Sequence, residues 1–89
     1  MAIEGSSRDR PRERLELVGV EALSETDLIV LLLGSGHRNA SARELALRLQ
    51  RRYPTAGALA EASPLELGRI PGIGPARAAS ICAAIALGR

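Results

Sequence analysis

The chemistry available to this sequence is concentrated in one stretch, Ile70-Pro71-Gly72-Ile73-Gly74-Pro75-Ala76-Arg77-Ala78. Gly72 and Gly74 permit positive φ and leave the backbone bare, so peptide N–H groups can turn outward and a bulky ligand can approach them. Ile73, between them, is expected to anchor the turn inward. Pro75 starts the following helix with φ already set, and that start aims its unpaired N–H groups and the positive end of its dipole at the space beyond the turn. Such a space attracts anions. Arg77 points from the first turn of this helix, placed either to touch a flanking phosphate or to lie solvated on the surface.

Other reactive side chains lack partners. His37 is the single histidine and has no second ligand at metal spacing, so it reads as an ordinary loop residue. Cys82, the single cysteine, lies in an apolar helix and reads as a small buried hydrophobe; it cannot form an internal disulfide, which favours a reducing, cytoplasmic setting. No Ser-His-Asp, Cys-His or carboxylate pair shares a candidate site. Catalysis is therefore not expected.

The elements that must position the turn are marked by their ends. Pro11 and Gly19 bracket a first helix over 11–18. Ser24 with Asp27, Ser41 with Glu44, and Ser63 with Glu66 each form a capping-box pattern, in which the hydroxyl accepts from the first turn and the acid reaches back. Leu28 to Leu33 is uniformly apolar and suits a buried strand or a buried helix; the Ser24 cap and the shortage of strand partners favour helix. A helix over 41–53 carries Ala42, Leu45, Ala46, Leu49 and Tyr53 on one stripe, with Arg48, Arg51 and Arg52 on the outer surface and Glu44 four residues before Arg48. Thr55 caps a short helix through Ala62, Ser63 opens another ending near Gly68, and Pro75 to Leu87, rich in alanine, is expected at the centre of packing.

A weak internal repeat organises these elements. Ser24-Glu25-Thr26-Asp27-Leu28 parallels Ser63-Pro64-Leu65-Glu66-Leu67, and Leu33-Gly34-Ser35-Gly36 parallels Pro71-Gly72-Ile73-Gly74 with a one-residue slip. Two helix-turn-helix units are implied, packed through their longer second helices. The first turn departs from the second: His37, Arg38, Asn39 and Ala40 separate Gly36 from Ser41, whereas Gly74 runs straight into Pro75. Gly34, Ser35, Gly36 and Arg38 are then either part of a structural half that completes the core, or a looser second anion contact with Asn39 and the Ser41 helix start.

Composition bounds the rest. Eighty-nine residues make one domain with one modest core. Ala and Leu supply 29 residues against 11 for Ile, Val and Thr, which favours an all-α fold, a small bundle of five to six helices. Tyr53 is the only aromatic, so a reader that stacks a series of bases is excluded. Net charge is +2, yet residues 51–89 carry five Arg against two Glu, a local sum of +3. Any anion site is expected there. The longest apolar run is far short of the roughly 20 residues that span a bilayer. Residues 1–10 read as a frayed or disordered lead, and 11–89 as the folded domain.

Gly72-Ile73-Gly74, with Leu67, Ile70 and Pro71 before it and Ala78 and Ile81 after, resembles the helix-hairpin-helix motif of DNA-binding proteins. The resemblance implies that Gly72, Ile73, Gly74, Ala76 and Arg77 hold a DNA-backbone phosphate without reading bases, beside a monovalent cation bound by hairpin carbonyls. No other cofactor is implied. More widely, Arg10-Pro11-Arg12-Glu13-Arg14-Leu15, Glu21-Ala22-Leu23-Ser24, the Leu-rich helix and the hairpin resemble the N-terminal region of RadC-type proteins, across about residues 10–89. Members of that family, which carries a DNA repair label, continue into a JAB/MPN-type, metalloprotease-like domain with histidine and aspartate ligands. Nothing in this sequence corresponds to that domain. The resemblance thus implies a module that binds double-stranded or branched DNA, or one that docks onto the absent domain.

Overall fold

In a computed structural model of the protein, residues 10–89 are described. The frayed lead expected over 1–10 lies outside them, apart from Arg10. Six α-helices follow one another: α1 (Pro11–Val18), α2 (Glu25–Leu33), α3 (Ala42–Arg52), α4 (Ala56–Ala60), α5 (Pro64–Gly68) and α6 (Gly74–Leu87). A single 3₁₀ turn, Val20–Ala22, links α1 to α2, and no β-strand occurs among the described residues. The fold is all-α.

Local chemistry sets the boundaries. Gly19 ends α1 with φ at +87°, and Ser24, Ser41 and Ser63 each complete their capping box in both directions. Each box satisfies N–H groups that the first helical turn would otherwise leave unpaired. The apolar run after Ser24 is helical. The helix capped by Thr55 ends at Ala60 and stops short of the expected Ala62, because Glu61 and Ala62 close it with tight turn bonds to Ala58 and Leu59.

The core joins both helix pairs: Leu33 from α2, Leu45, Ala46 and Leu49 from α3, Leu67 from α5, Ile73 from the second turn, and Ala78 and Ile81 from α6. Burying a Leu or Ile side chain here stabilises the fold by about 1.5–3 kcal/mol each. Two expectations change. The backbone of α6 lies closest to α5 and α2, rather than meeting α3 as a pair of second helices. Leu45 and Leu49 of α3 are buried in the same core cluster as Ala78 and Ile81 of α6. Nor is α6 wholly central, since Ala76, Ala79, Ala83 and Ala86 are exposed and only Ala78 and Ile81 are fully buried.

Asp27 ties the first half together. It is 3% exposed, and its carboxylate accepts from Arg14 of α1 and Arg43 of α3, both at 2.9 Å, and from the Ser24 backbone N–H at 3.3 Å. Burial alone would raise its pKa, but the hydrogen bonds from Arg43 and Ser24 outweigh burial and hold the carboxyl below its usual value. Thr26 also donates to Gln50, joining α2 to α3. No helix among the described residues is long and apolar enough to cross a membrane.

Candidate functional site

The second turn is held from behind. Ile73 is buried at 2% exposure, inserted among the core residues as expected. Its N–H donates to the Ile70 carbonyl at 3.0 Å, which closes the turn. Ile73 is therefore an anchor and not an anion donor, a correction to its expected role. Gly72 and Gly74 adopt φ of +91° and +67°. A side chain at Gly72 would strike Leu45, whereas Gly74 faces open space. Both positions need glycine for the backbone; Gly72 also needs it because α3 lies close behind.

Three amides remain available. The N–H groups of Gly72, Gly74 and Ala76 donate to no acceptor among the described residues. Gly74 and Ala76 belong to the opening turn of α6, a helix of 14 residues whose N-terminus has no side-chain cap. Pro75 between them has no N–H to satisfy. Together with the positive end of the helix dipole, these donors make a place suited to one oxyanion.

Arg77 behaves differently from either expectation. Its Nη1 donates to the Gly72 carbonyl at 3.2 Å, and its Nη2 donates to the carbonyls of Ser35 and Gly36, both at 3.0 Å. It is half-buried and both terminal nitrogens donate inside the protein, so it is not a solvated surface residue, and the bonds it makes are to the protein's own carbonyls. Helical side chains lean toward the N-terminus, and this direction carries Arg77 back over the turn. Arg48 does the same from α3, donating from Nη1 to the Pro71 carbonyl at 2.7 Å. The expected Glu44–Arg48 pair is absent, because Glu44 is engaged in its capping box and Arg48 in the turn. A monovalent cation fits these carbonyls poorly: the oxygens of Pro71 and Gly72 already face guanidinium groups, whose charge would repel it.

The first turn is built otherwise. His37 and Ala40 exchange hydrogen bonds at 2.8 and 3.1 Å, so the four extra residues close on themselves as a small loop with Arg38 and Asn39 at its tip. Gly36 is packed so tightly that a Cβ there would lie 2.5 to 2.8 Å from backbone atoms of Ala40, Ser41 and Ala42. Gly34 has φ of +79° and faces open space, and the Ser35 N–H is turned back to the Leu33 carbonyl at 3.0 Å. Ser41 and Glu44 satisfy each other's backbone N–H groups. Of the residues expected here, Gly34 and Ser35 have their N–H groups paired, Gly36 is packed against the start of α3, and Arg38 is exposed with no partner among the described residues. Beside this loop an open cleft of about 640 Å³ is lined by Arg10, Arg12, Glu13 and Arg43, of which Arg10 pairs with Glu13 and Arg43 with the buried Asp27.

Residues 4–79 match the UPF0758 N-terminal family. The UPF0758 protein of Flavobacterium johnsoniae is 45% identical over 84 residues, covering 94% of this chain and 37% of that protein. The UPF0758 protein of Geobacillus kaustophilus is 45% identical over 80 residues, covering 90% and 35%, and the UPF0758 protein YsxA of Bacillus subtilis is 43% identical over 81 residues, covering 91% and 35%. The chain therefore spans little more than a third of the length of these relatives. No solved structure matches it. The chain belongs to the UPF0758 N-terminal family, the N-terminal region of the RadC-like family that its sequence resembles.

Proposed function

We propose that this chain is a non-enzymatic module that holds double-stranded or branched DNA by its backbone, independently of sequence, through the amides of Gly72, Gly74 and Ala76 at the start of α6. The observation that carries the reading is that these three N–H groups have no partner among the described residues, in a turn whose other groups are paired or buried. The helix-hairpin-helix resemblance of the same residues supports it, as does the positive balance of residues 51–89. With two to four phosphate contacts, Kd is expected on the order of 10⁻⁴ to 10⁻⁶ M, with a log–log salt slope of roughly -2 to -4.

Titrating a labelled duplex at two salt concentrations tests this. Binding that weakens steeply with salt supports it, whereas no binding in dilute buffer, or saturation indifferent to salt, removes it. A docking role toward a JAB/MPN-type domain is the second reading, favoured by the exposed apolar side chains Leu17, Val18 and Val20. Under that reading the second turn is only a connector, and replacing Gly74 by a bulky residue leaves any DNA binding unchanged.

A further inference from the structure

Four carbonyl oxygens from two loops converge on two guanidinium groups. Arg77 takes those of Ser35 and Gly36 in the first loop and Gly72 in the second, and Arg48 takes that of Pro71. The loops are about forty residues apart in sequence, and the Arg77 side chain is a direct polar link between them. Arg77 is half-buried, and its Nε is buried without a partner, so the side chain is committed to this position by its two terminal nitrogens alone.

We propose that Arg77, seconded by Arg48, is a built-in cation: a positioning residue whose guanidinium holds the turn carbonyls as a bound alkali ion would, and so aims the free amides of Gly72, Gly74 and Ala76. Three features of the guanidinium suit it to this. It is permanently charged, it donates in a fixed planar fork that can span carbonyls from separate loops, and it is attached to the helix whose start it orients. An alkali ion placed at the Pro71 and Gly72 oxygens would meet two positive charges beside them. The turn therefore keeps its shape without any added metal. Because Arg77 is spent on carbonyls, it contributes nothing directly to phosphate.

The inference rests partly on the proposed DNA reading, but its test begins with the protein alone. Amide shifts and thermal melting are measured for the wild type, Arg77→Met and Arg77→Lys, in potassium chloride and in choline chloride at equal ionic strength. The wild type is expected to melt at the same temperature in both salts. Arg77→Met is expected to melt lower, to shift amides in both loops (Ser35 and Gly36 as well as Gly72 and Gly74), and to melt higher in potassium than in choline. Arg77→Lys, which keeps the charge without the fork, should fall between the two and remains informative if Arg77→Met does not fold. A wild type that needs potassium overturns the proposal, as do shifts confined to one loop or an Arg77→Met protein indifferent to the cation.

The duplex titration then adds a separate readout. Arg77→Met should bind roughly tenfold more weakly with an unchanged salt slope, since an aligned donor set is lost and no phosphate contact is. A slope reduced by about one unit would identify Arg77 as a phosphate ligand and overturn its positioning role. If the wild type binds no duplex at all, the DNA reading fails while the shift and melting results still decide the clamp.

Discussion

The two turns of this domain begin with similar glycine-bearing segments and end as opposites. After Gly36 the chain spends four residues on a self-closed loop and enters α3 through a capping box, in which the Ser41 hydroxyl accepts from the Glu44 N–H at 3.1 Å. After Gly74 it enters α6 at once, and the equivalent donor, the N–H of Ala76, stays open. Glycine alone does not make an anion site. A side-chain cap and an incoming oxyanion compete for the same first-turn N–H groups, so a capped helix start has already used one of the donors that a ligand would take.

The sharpest way to separate the turns is to add a side chain to each. Gly36→Val should cost about 3 kcal/mol or more, because its Cβ meets backbone that cannot swing aside. Gly74→Ala meets nothing and should cost about 1 kcal/mol, from its positive φ only. Denaturant midpoints measure both; equal losses would erase the distinction between a packed glycine and an open one.

Next in size is the anchor beneath the first turn. Asp27→Ala removes the carboxylate shared by Arg14, Arg43 and the Ser24 N–H and should cost about 2–3 kcal/mol, below the range for fully buried pairs because both arginines are about a third exposed. The carboxyl is held below its usual pKa in the folded state, so its contribution is fully present above the unfolded value of about 3.9 and is lost as pH falls through the lower folded value. Melting temperature should therefore drop on acidification more steeply for the wild type than for Asp27→Ala. Parallel curves for the two proteins would refute that linkage.

A smaller effect is expected on binding. Gly74→Val puts a branched side chain in front of the free amides and should weaken duplex affinity roughly tenfold, about 1.4 kcal/mol, while circular dichroism retains the helical signal. The least effect is expected at the other turn: Arg38→Ala should change stability by under about 0.5 kcal/mol, as surface substitutions do. If Arg38→Ala nevertheless lowers DNA affinity as far as Gly74→Val does, the first loop is a second phosphate contact rather than a structural half.

Much of the architecture was readable from short spans. The capping boxes at Ser24, Ser41 and Ser63 use donors and acceptors three residues apart, and all three form. The positive φ values at Gly72 and Gly74 and the inward Ile73 follow from the same local logic. The roles of Arg77 and Arg48 are not legible in the same way, because most of their partners lie in distant loops. Arg77 bonds residues 41 and 42 positions away, and Arg48 a carbonyl 23 positions away, with no periodic pattern to mark the pairing. Asp27 is legible as a cap but not as a buried hub, for the same reason.

Residue order alone determined where helices start and stop and which helix start carries a side-chain cap, since these depend on groups within one helical turn of each other. Folding in three dimensions decided how the arginines are used: α6 lies beside α2, the two loops come within reach of one guanidinium, and charges that looked ready for a ligand are spent on the protein's own carbonyls. A long flexible cation takes whichever oxygens the packing brings nearest, and the core residues of α3, α5 and α6 set that packing.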